Sequence, residues 1–443
     1  MKVIIYGVGK TGTELVNTFH EYCHDVVVID NNKAGIESIQ RRMDALCILG
    51  TIGDDSVIKS AKISGSDVFI AVTDSDEQNI VACIIAKRYN VKKTIARLRN
   101  PAYLNKEILN PNELGIDHVI NPESEVANEI FRLIRVPWAF RVDAFLKDAL
   151  SVLELGVTPE NKDSINQKLR LLSKTNPVIV MSKKSSTGTF KLFAGNETAS
   201  PDDRIWLLEK TSSIHRINSF FEEEVSRISS IIVVGGGQTA TELLALLEKT
   251  PIRVKLIESS KETCNALSQR FSNNMILCGD ATDLELLTQE KVEKSDCIVA
   301  VTGDDENNIM ISLFAKDRGI RKAITKVSKA YGTEILGRLG LHAIVNAYRV
   351  TVNKILHFSN LKETVSISSM ADNVLIVEFV VPDGARITKR PVKPDFIKGA
   401  IIAAVHTRGK VVFPKRPVLI DANSRVVMFI NSKYVKDAEA YFR

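Results

Sequence analysis

One short pattern, an apolar run closed by spaced glycines, occurs twice in the chain and keeps its register for more than a hundred residues. Gly7-Val8-Gly9-Lys10-Thr11-Gly12-Thr13-Glu14-Leu15 aligns with Gly235-Gly236-Gly237-Gln238-Thr239-Ala240-Thr241-Glu242-Leu243, at an offset of 235 − 7 = 228. The same offset pairs Asp30 with Glu258 and Ile48-Leu49 with Ile276-Leu277. One residue is then inserted. Beyond it Ala71-Val72-Thr73 pairs with Ala300-Val301-Thr302, Asn79-Ile80 with Asn308-Ile309, and Ile95-Ala96-Arg97 with Ile324-Thr325-Lys326. Val119-Ile120-Asn121 closes against Ile344-Val345-Asn346. Coincidence does not hold register that long, so the chain is a duplication.

Each copy alternates short Val/Ile runs with helical patterns. In the first copy, segments 2–7, 25–30, 45–49, 67–73, 93–98 and 118–120 are expected strands, with helices over 11–22 and 76–88 between them. Continuous apolar strands separated by amphipathic helices mean a parallel sheet covered on both faces. Opened by a glycine turn, six of them give a doubly wound Rossmann-type fold.

After each copy the alternation stops. Strands are expected at 176–182, 189–193 and 203–209, then at 373–381, 400–406, 410–413 and 425–430, with 182–189 as an exposed hairpin loop. The fold class is therefore α/β: two doubly wound parallel-sheet Rossmann-type domains, each followed by a small β-rich α+β domain. Boundaries are expected at 1–139, 140–222, 228–352 and 360–443.

The glycines have separate jobs. Gly7 permits a tight turn, Gly9 lets the backbone approach a pyrophosphate, and Gly12 lets helix and strand pack closely. Free N–H groups at the helix start then face the phosphates. Asp30, 30 − 12 = 18 residues beyond the last glycine, ends the second strand and can accept from adenosine ribose hydroxyls. A 2′-phosphate there would meet a carboxylate, which disfavours NADP. The second copy keeps Gly235, Gly237 and the acid Glu258, with Ala240 in the third glycine's place.

Other candidates carry two readings. Asp280, after Gly279, either reaches an adenine edge or caps the next short helix. Asp74-Ser75-Asp76-Glu77 and Gly303-Asp304-Asp305-Glu306 read first as helix caps with acids in the first turn. Thr73 and Thr302 end their strands over the crevice where doubly wound sheets bind ligand. Arg97 and Lys326 are cations inside apolar runs, where phosphate contact is a better reading than core.

Composition excludes several classes. The chain is 443 residues with 44% hydrophobic and 25% charged residues, ordinary for a globular protein. Its net charge of +6 is dispersed and aromatics are 6%, so a nucleic-acid partner is not expected. Six cysteines without CxxC spacing read as buried hydrophobes of a reducing compartment. No apolar stretch approaches the roughly 18 residues of a membrane helix, and the opening Met1-Lys2-Val3 leaves no room for a signal peptide. Among seven histidines no acid–base cluster emerges, and the His20/His24 spacing reads as a helix end rather than a metal pair. Two nucleotide motifs without substrate chemistry suggest a sensor, not an enzyme.

Several stretches carry a family resemblance. They are Met1-Lys2-Val3-Ile4-Ile5-Tyr6-Gly7-Val8-Gly9, Ala71-Val72-Thr73-Asp74-Ser75-Asp76-Glu77-Gln78-Asn79-Ile80, Ile95-Ala96-Arg97-Leu98-Arg99-Asn100, Gly115-Ile116-Asp117-His118-Val119-Ile120-Asn121-Pro122-Glu123 and the tail 377–390. With the four-module order, they resemble the TrkA family, peripheral regulatory subunits of bacterial Trk potassium uptake systems built from tandem RCK (regulator of potassium conductance) domains. The resemblance is weakest over 140–220 and at Ala240.

It implies RCK N and RCK C (TrkA-C) modules and a cytoplasmic subunit peripheral on the inner face of the membrane. That subunit would form a homo-oligomeric ring, with a tetramer the expected form, and dock on a Trk-type potassium-translocating membrane subunit. NAD(H), and in some members ATP or ADP, would bind at Gly7, Val8, Gly9, Lys10, Thr11, Asp30, Thr73, Asp74 and Arg97. In the second copy the contacts would fall on Gly235, Gly236, Gly237, Gln238, Thr239, Glu258, Thr302 and Lys326. The helix after Pro122, with Val126, Ile130, Leu133 and Ile134 on one face, is a candidate for packing between lobes or for ordinary core. The alternatives are an NAD-dependent oxidoreductase and a nucleotide-sensing regulator of a different cation transporter.

Overall fold

The computed structural model describes residues 1–21, 25–43, 45–104, 110–157, 161–174, 176–181, 190–192, 198–201, 203–221, 227–329, 333–341, 343–359, 364–371 and 374–443. The expected loop 182–189, His24, Cys23 and His342 lie outside the described residues.

The first sheet is six-stranded and parallel, in the order β3-β2-β1-β4-β5-β6. Its elements are β1 (Lys2–Tyr6), α1 (Lys10–Glu21), β2 (Asp25–Asp30), α2 (Lys33–Arg42), β3 (Leu46–Leu49), α3 (Asp55–Ala61), β4 (Val68–Ala71), α4 (Asp76–Arg88), β5 (Lys93–Arg97) and β6 (His118–Ile120). Successive side chains of β1 enter different cores. Val3 and Ile5 pack with Leu15, Val16 and Phe19 of α1, whereas Ile4 and Tyr6 pack with Ala82, Cys83 and Ala86 of α4. Continuous hydrophobicity thus follows from burial on both faces. Helix α5 (Pro122–Arg135) follows, and Val126, Ile130, Leu133 and Ile134 are all buried within the chain.

Next come β7 (Arg141–Phe145), β8 (Leu150–Gly156), α6 (Lys162–Leu172), β9 (Val178–Met181), β10 (Phe190–Leu192), β11 (Arg204–Lys210) and α7 (Ile214–Phe221). They form an antiparallel sheet ordered β10-β9-β11-β8-β7. The sequence pattern predicts strands only from 176 onward here, so β7, β8 and α6 are additions to it.

The second parallel sheet repeats the first. It contains β12 (Ser230–Val234), α8 (Gln238–Leu247), β13 (Arg253–Glu258), α9 (Lys261–Arg270), β14 (Met275–Cys278), α10 (Leu284–Gln289), β15 (Cys297–Ala300), α11 (Asp305–Asp317), β16 (Lys322–Val327), α12 (Thr333–Arg338) and β17 (Ala343–Asn346), followed by α13 (Ala347–Ser359). Its order is β14-β13-β12-β15-β16-β17. The ladders correct one detail of the repeat. Asp30 pairs with Leu49 on β3, and Glu258 pairs with Cys278 on β14. Leu49 therefore corresponds to Cys278, not Leu277. The extra residue sits in the turn before the third strand, because α2 and α9 still match at an offset of 228.

The last sheet comprises β18 (Thr364–Ala371), β19 (Val374–Val380), β20 (Ala400–Thr407), β21 (Lys410–Val412) and β22 (Arg425–Asn431), ordered β18-β19-β22-β20-β21, with α14 (Val435–Glu439) after it. Renumbered from its own first strand, this order is that of the β7–β11 sheet. The duplication thus extends to the tails, where sequence similarity is faint.

The chain divides into two compact units, Met1–Val126 with Ala347–Leu361, and Ala127–Asn346 with Lys362–Arg443. In the first unit, α13 contributes Val352, Ile355 and Leu356 to the core beneath α1, and Phe358 stacks on His118 at 4.2 Å between ring centroids. In the second unit, the two antiparallel sheets share one core, with Ile179, Trp206 and Leu208 packed among Ile376, Val427 and Phe429. No helix among the described residues is long and apolar enough to cross a membrane.

Candidate functional site

Both glycine turns lie at the carboxyl ends of their parallel strands, between the first strand and the first helix. Gly7 has φ +109°, and a Cβ there would stand 2.8 Å from the Thr73 nitrogen. At Gly12 a Cβ would stand 1.8 Å from the Gly7 carbonyl oxygen, so helix and turn touch there. A Cβ on Gly9 meets nothing within 4 Å, leaving the backbone open on that side. Gly235, at φ +99°, and Gly237, equally open, repeat the features of Gly7 and Gly9. In the second copy Ala240 is fully buried, so that helix accommodates a methyl group where the first tolerates none.

The acids at the ends of β2 and β13 are held alike. Asp30 accepts from the Val8 N–H at 2.6 Å through Oδ2 and from the Asn32 N–H at 2.6 Å through Oδ1. Glu258 accepts from the Gly236 N–H at 2.6 Å and the Ser260 N–H at 2.7 Å. Partial burial by itself would raise the Glu258 pKa, but the Ser260 and Gly236 N–H bonds outweigh it and hold the carboxyl below its usual range. A carboxylate offers about four lone-pair sites, so each acid keeps acceptors for vicinal hydroxyls.

The crevice floor holds a buried cation in the first copy. Arg97 is 4% exposed; its Nη2 donates to the Thr73 carbonyl and to Asp74 Oδ1, each at 2.8 Å, and its Nη1 reaches Thr11 Oγ1 at 3.4 Å. Its Nε is buried with no partner. Desolvation, with Arg99 nearby, lowers its pKa against the support of Asp74. An anion at the start of α1 would meet this charge, and the unpartnered donor fits such a ligand. Lys326 is half-buried at the matching place on β16. Thr11 and Thr239 are buried in the first turns of α1 and α8. Lys10 lies 5.7 Å from the Tyr348 ring centroid, while Gln238 bonds Glu242 at 2.9 Å.

A buried asparagine that belongs to no recognised motif organises each strand end. Asn79 Oδ1 accepts from the Thr73 N–H at 2.9 Å and its hydroxyl at 2.7 Å, while Nδ2 donates to the Thr73 and Arg97 carbonyls. Asn308 does the same for Thr302 and Lys326. The signal was present, since the two asparagines align in the repeat. Strand β4 ends at Ala71, short of the expected 73, because this side chain takes the Thr73 N–H.

The acidic segments prove to be caps. Ser75 caps α4 and Asp304 caps α11. Asp76 accepts from the Arg99 and Asn100 N–H groups, as Asp305 does from Ser328 and Lys329. Asp74 remains in the crevice through Arg97. Gly279 donates to the Glu258 carbonyl at 2.8 Å. Asp280 is exposed and accepts from the Thr282 N–H and hydroxyl, while Asp283 caps α10. The capping reading of Asp280 therefore moves to Asp283. Among the described residues no cluster suited to a metal ion occurs.

Residues 3–122 and 231–347 match the TrkA-N domain, which covers more than half of the chain and both glycine turns. The chain belongs to the TrkA family. It is 31% identical over 445 residues to the Trk system potassium uptake protein TrkA homolog of Archaeoglobus fulgidus, covering all of both chains. It is 28% identical over 460 residues to the Trk system potassium uptake protein TrkA of Vibrio alginolyticus, covering all of this chain and 99% of that one. Among solved structures, the GsuK channel superposes with a TM-score of 0.62 at 16% identity, over 99% of this chain and 78% of the other. The GsuK RCK domain gives 0.60 at 16% identity, over 100% and 94%. At that identity the likeness is one of fold: this TrkA-family chain has the RCK architecture.

Proposed function

We propose that the chain is the peripheral regulatory subunit of a Trk-type potassium uptake system. In this reading it binds NAD(H), or ATP or ADP, in its two crevices and gates the membrane subunit by changing shape. The observation that carries the reading is the duplicated crevice, with an open glycine turn and a fixed acid in each copy and a buried cation beside the helix start in the first, in a chain related over its full length to Trk uptake proteins. A GsuK channel bound to NAD superposes on this chain with a TM-score of 0.60.

Within this reading the modules span 1–139, 140–222, 228–352 and 360–443, and Gly7 to Gly12, Asp30, Thr73, Asp74 and Arg97 hold the first nucleotide. Gly235 to Thr239, Glu258, Gly279, Asp280, Thr302 and Lys326 hold the second. The acids take the ribose hydroxyls, the helix starts take the phosphates, and a phosphate competes with Asp74 for Arg97. A nucleotide shifts shape only by its difference in affinity between two states. About 1–3 kcal/mol per site is an ordinary coupling, and copies associated as a homo-oligomeric ring, a tetramer in this reading, would add their contributions. The subunit works at the cytoplasmic face of the membrane.

Potassium uptake by cells expressing the cognate membrane subunit tests this. Uptake should require the chain and fall when Asp30→Ala replaces it at equal abundance. Uptake indifferent to deletion of the chain would contradict the reading.

A further inference from the structure

We propose that Cys264 and Cys278 form a disulfide under hydroperoxide oxidants, at the ribose edge of the second crevice, and that the bond weakens adenine-nucleotide binding there. The coupling to nucleotide rests on the function proposed above; the disulfide does not.

The two thiols sit on successive backbone carbonyls at the end of β13. Cys264, in the first turn of α9, places its Sγ 3.3 Å from the Glu258 carbonyl oxygen. Cys278, ending β14 as the ladder partner of Glu258, places its Sγ 3.9 Å from the Ser259 carbonyl oxygen. Consecutive carbonyls thus accept from the two thiols, and Cys278 is also a hydrogen-bond partner of the Cys264 thiol. Burial and the adjacent Cys278 thiol push the Cys264 thiol up to about 11. The first of these carbonyls belongs to Glu258, whose carboxylate is fixed by Ser260 and Gly236.

The pair belongs to one copy only. Its counterparts in the first crevice are Ile36 and Leu49, one buried and one exposed, as Cys264 is buried at 6% and Cys278 exposed. The geometry therefore does not need sulfur for packing. The other described cysteines differ: Cys83 and Cys297 are fully buried with thiols pushed up, Cys297 to about 12, and Cys47 is half-buried on β3.

The exposed Cys278 thiolate attacks hydrogen peroxide, breaking the O–O bond to give a sulfenic acid and hydroxide, which takes up the thiol's proton as water. The Cys264 sulfur then attacks the Cys278 sulfur, forming the S–S bond and expelling hydroxide, which leaves as water with the Cys264 proton. Two thiols are oxidised and one peroxide is reduced to two waters. Closing the bond withdraws both sulfurs from the 258 and 259 carbonyls and pulls the start of α9 toward β14, moving the Glu258 carboxylate.

Reduced protein should be treated with hydrogen peroxide, digested without reductant and read by mass spectrometry. The expected product is one cross-linked peptide pair joining Cys264 to Cys278, absent in Cys264→Ser. Cys278 driven to sulfinic acid without a cross-link, or paired with another cysteine, overturns the proposal. Calorimetric titration of ADP and NADH into Asp30→Ala protein, which isolates the second crevice, then compares the two states. The oxidised form should bind about fivefold or more weakly, with recovery on adding dithiothreitol. Unchanged affinity in fully cross-linked protein overturns the coupling. Reduced Asp30→Ala protein that binds neither nucleotide overturns the nucleotide reading instead, and the cross-link stands by itself.

Discussion

Gly9 and Gly12 sit three residues apart, yet a methyl group at each meets opposite surroundings. At Gly12 it would collide with the Gly7 carbonyl, and the backbone must move. Gly12→Ala should cost about 1–3 kcal/mol of stability, measured by urea unfolding. Gly9→Ala has open space around it and should change stability by less than about 0.5 kcal/mol, while weakening nucleotide binding. Lys322 sets a different expectation. It is buried, its Nζ donates to the Ala139 carbonyl, and desolvation brings its pKa down from 10.5 to about 8. Between those values the unfolded chain keeps a proton that the folded chain has released, so raising the pH stabilises the fold. Unfolding free energy should rise on the order of 3 kcal/mol from this group between pH 8 and pH 10.5. Lys322→Met should remove that part of the rise relative to the parent protein.

At the scale of elements, the parallel sheets were legible because burial on both faces makes each strand a continuous apolar run. Much of the antiparallel tail was not. The β7–β8 turn carries no glycine: Leu146, Lys147 and Asp148 all adopt positive φ, between 56° and 64°, so the usual turn signal is missing. The turn is instead tied down by Glu378, 1% exposed, which accepts from the Leu146 N–H at 2.9 Å and from Arg425 at 2.6 Å. The exposed Lys147 gains nothing from its left-handed conformation, so Lys147→Gly should stabilise the protein by about 1 kcal/mol, seen as a higher urea midpoint. The docking of α13 on the first sheet was also hidden, since an amphipathic helix declares an apolar face without declaring which sheet will cover it. Asn79 stayed unread for a similar reason: a polar residue in a helix pattern suggests solvent, whereas this one is buried and satisfies four groups on two strand ends. Asn79→Ala should cost about 2–3 kcal/mol by stranding them, and Asn79→Asp should not restore the donor bonds.

Over the whole molecule, duplication produces two crevices of one design with unequal details. The first has Gly12 and a locked Arg97; the second has Ala240, a half-buried Lys326 and a pair of thiols. The acids that end β2 and β13, Asp30 and Glu258, are the most closely matched parts, each fixed by two backbone N–H groups at 2.6–2.7 Å. They were also the most legible in sequence, because strand, glycine turn, helix and acid recur in fixed order. Calorimetric titration of NADH, NAD, ATP and ADP into the purified protein, with Asp30→Ala, Glu258→Ala and the double variant alongside, tests the shared design most directly. Saturable adenine-nucleotide binding that falls by one site in each single variant and vanishes in the double variant is the predicted result; a folded parent protein that binds none of the four would contradict it.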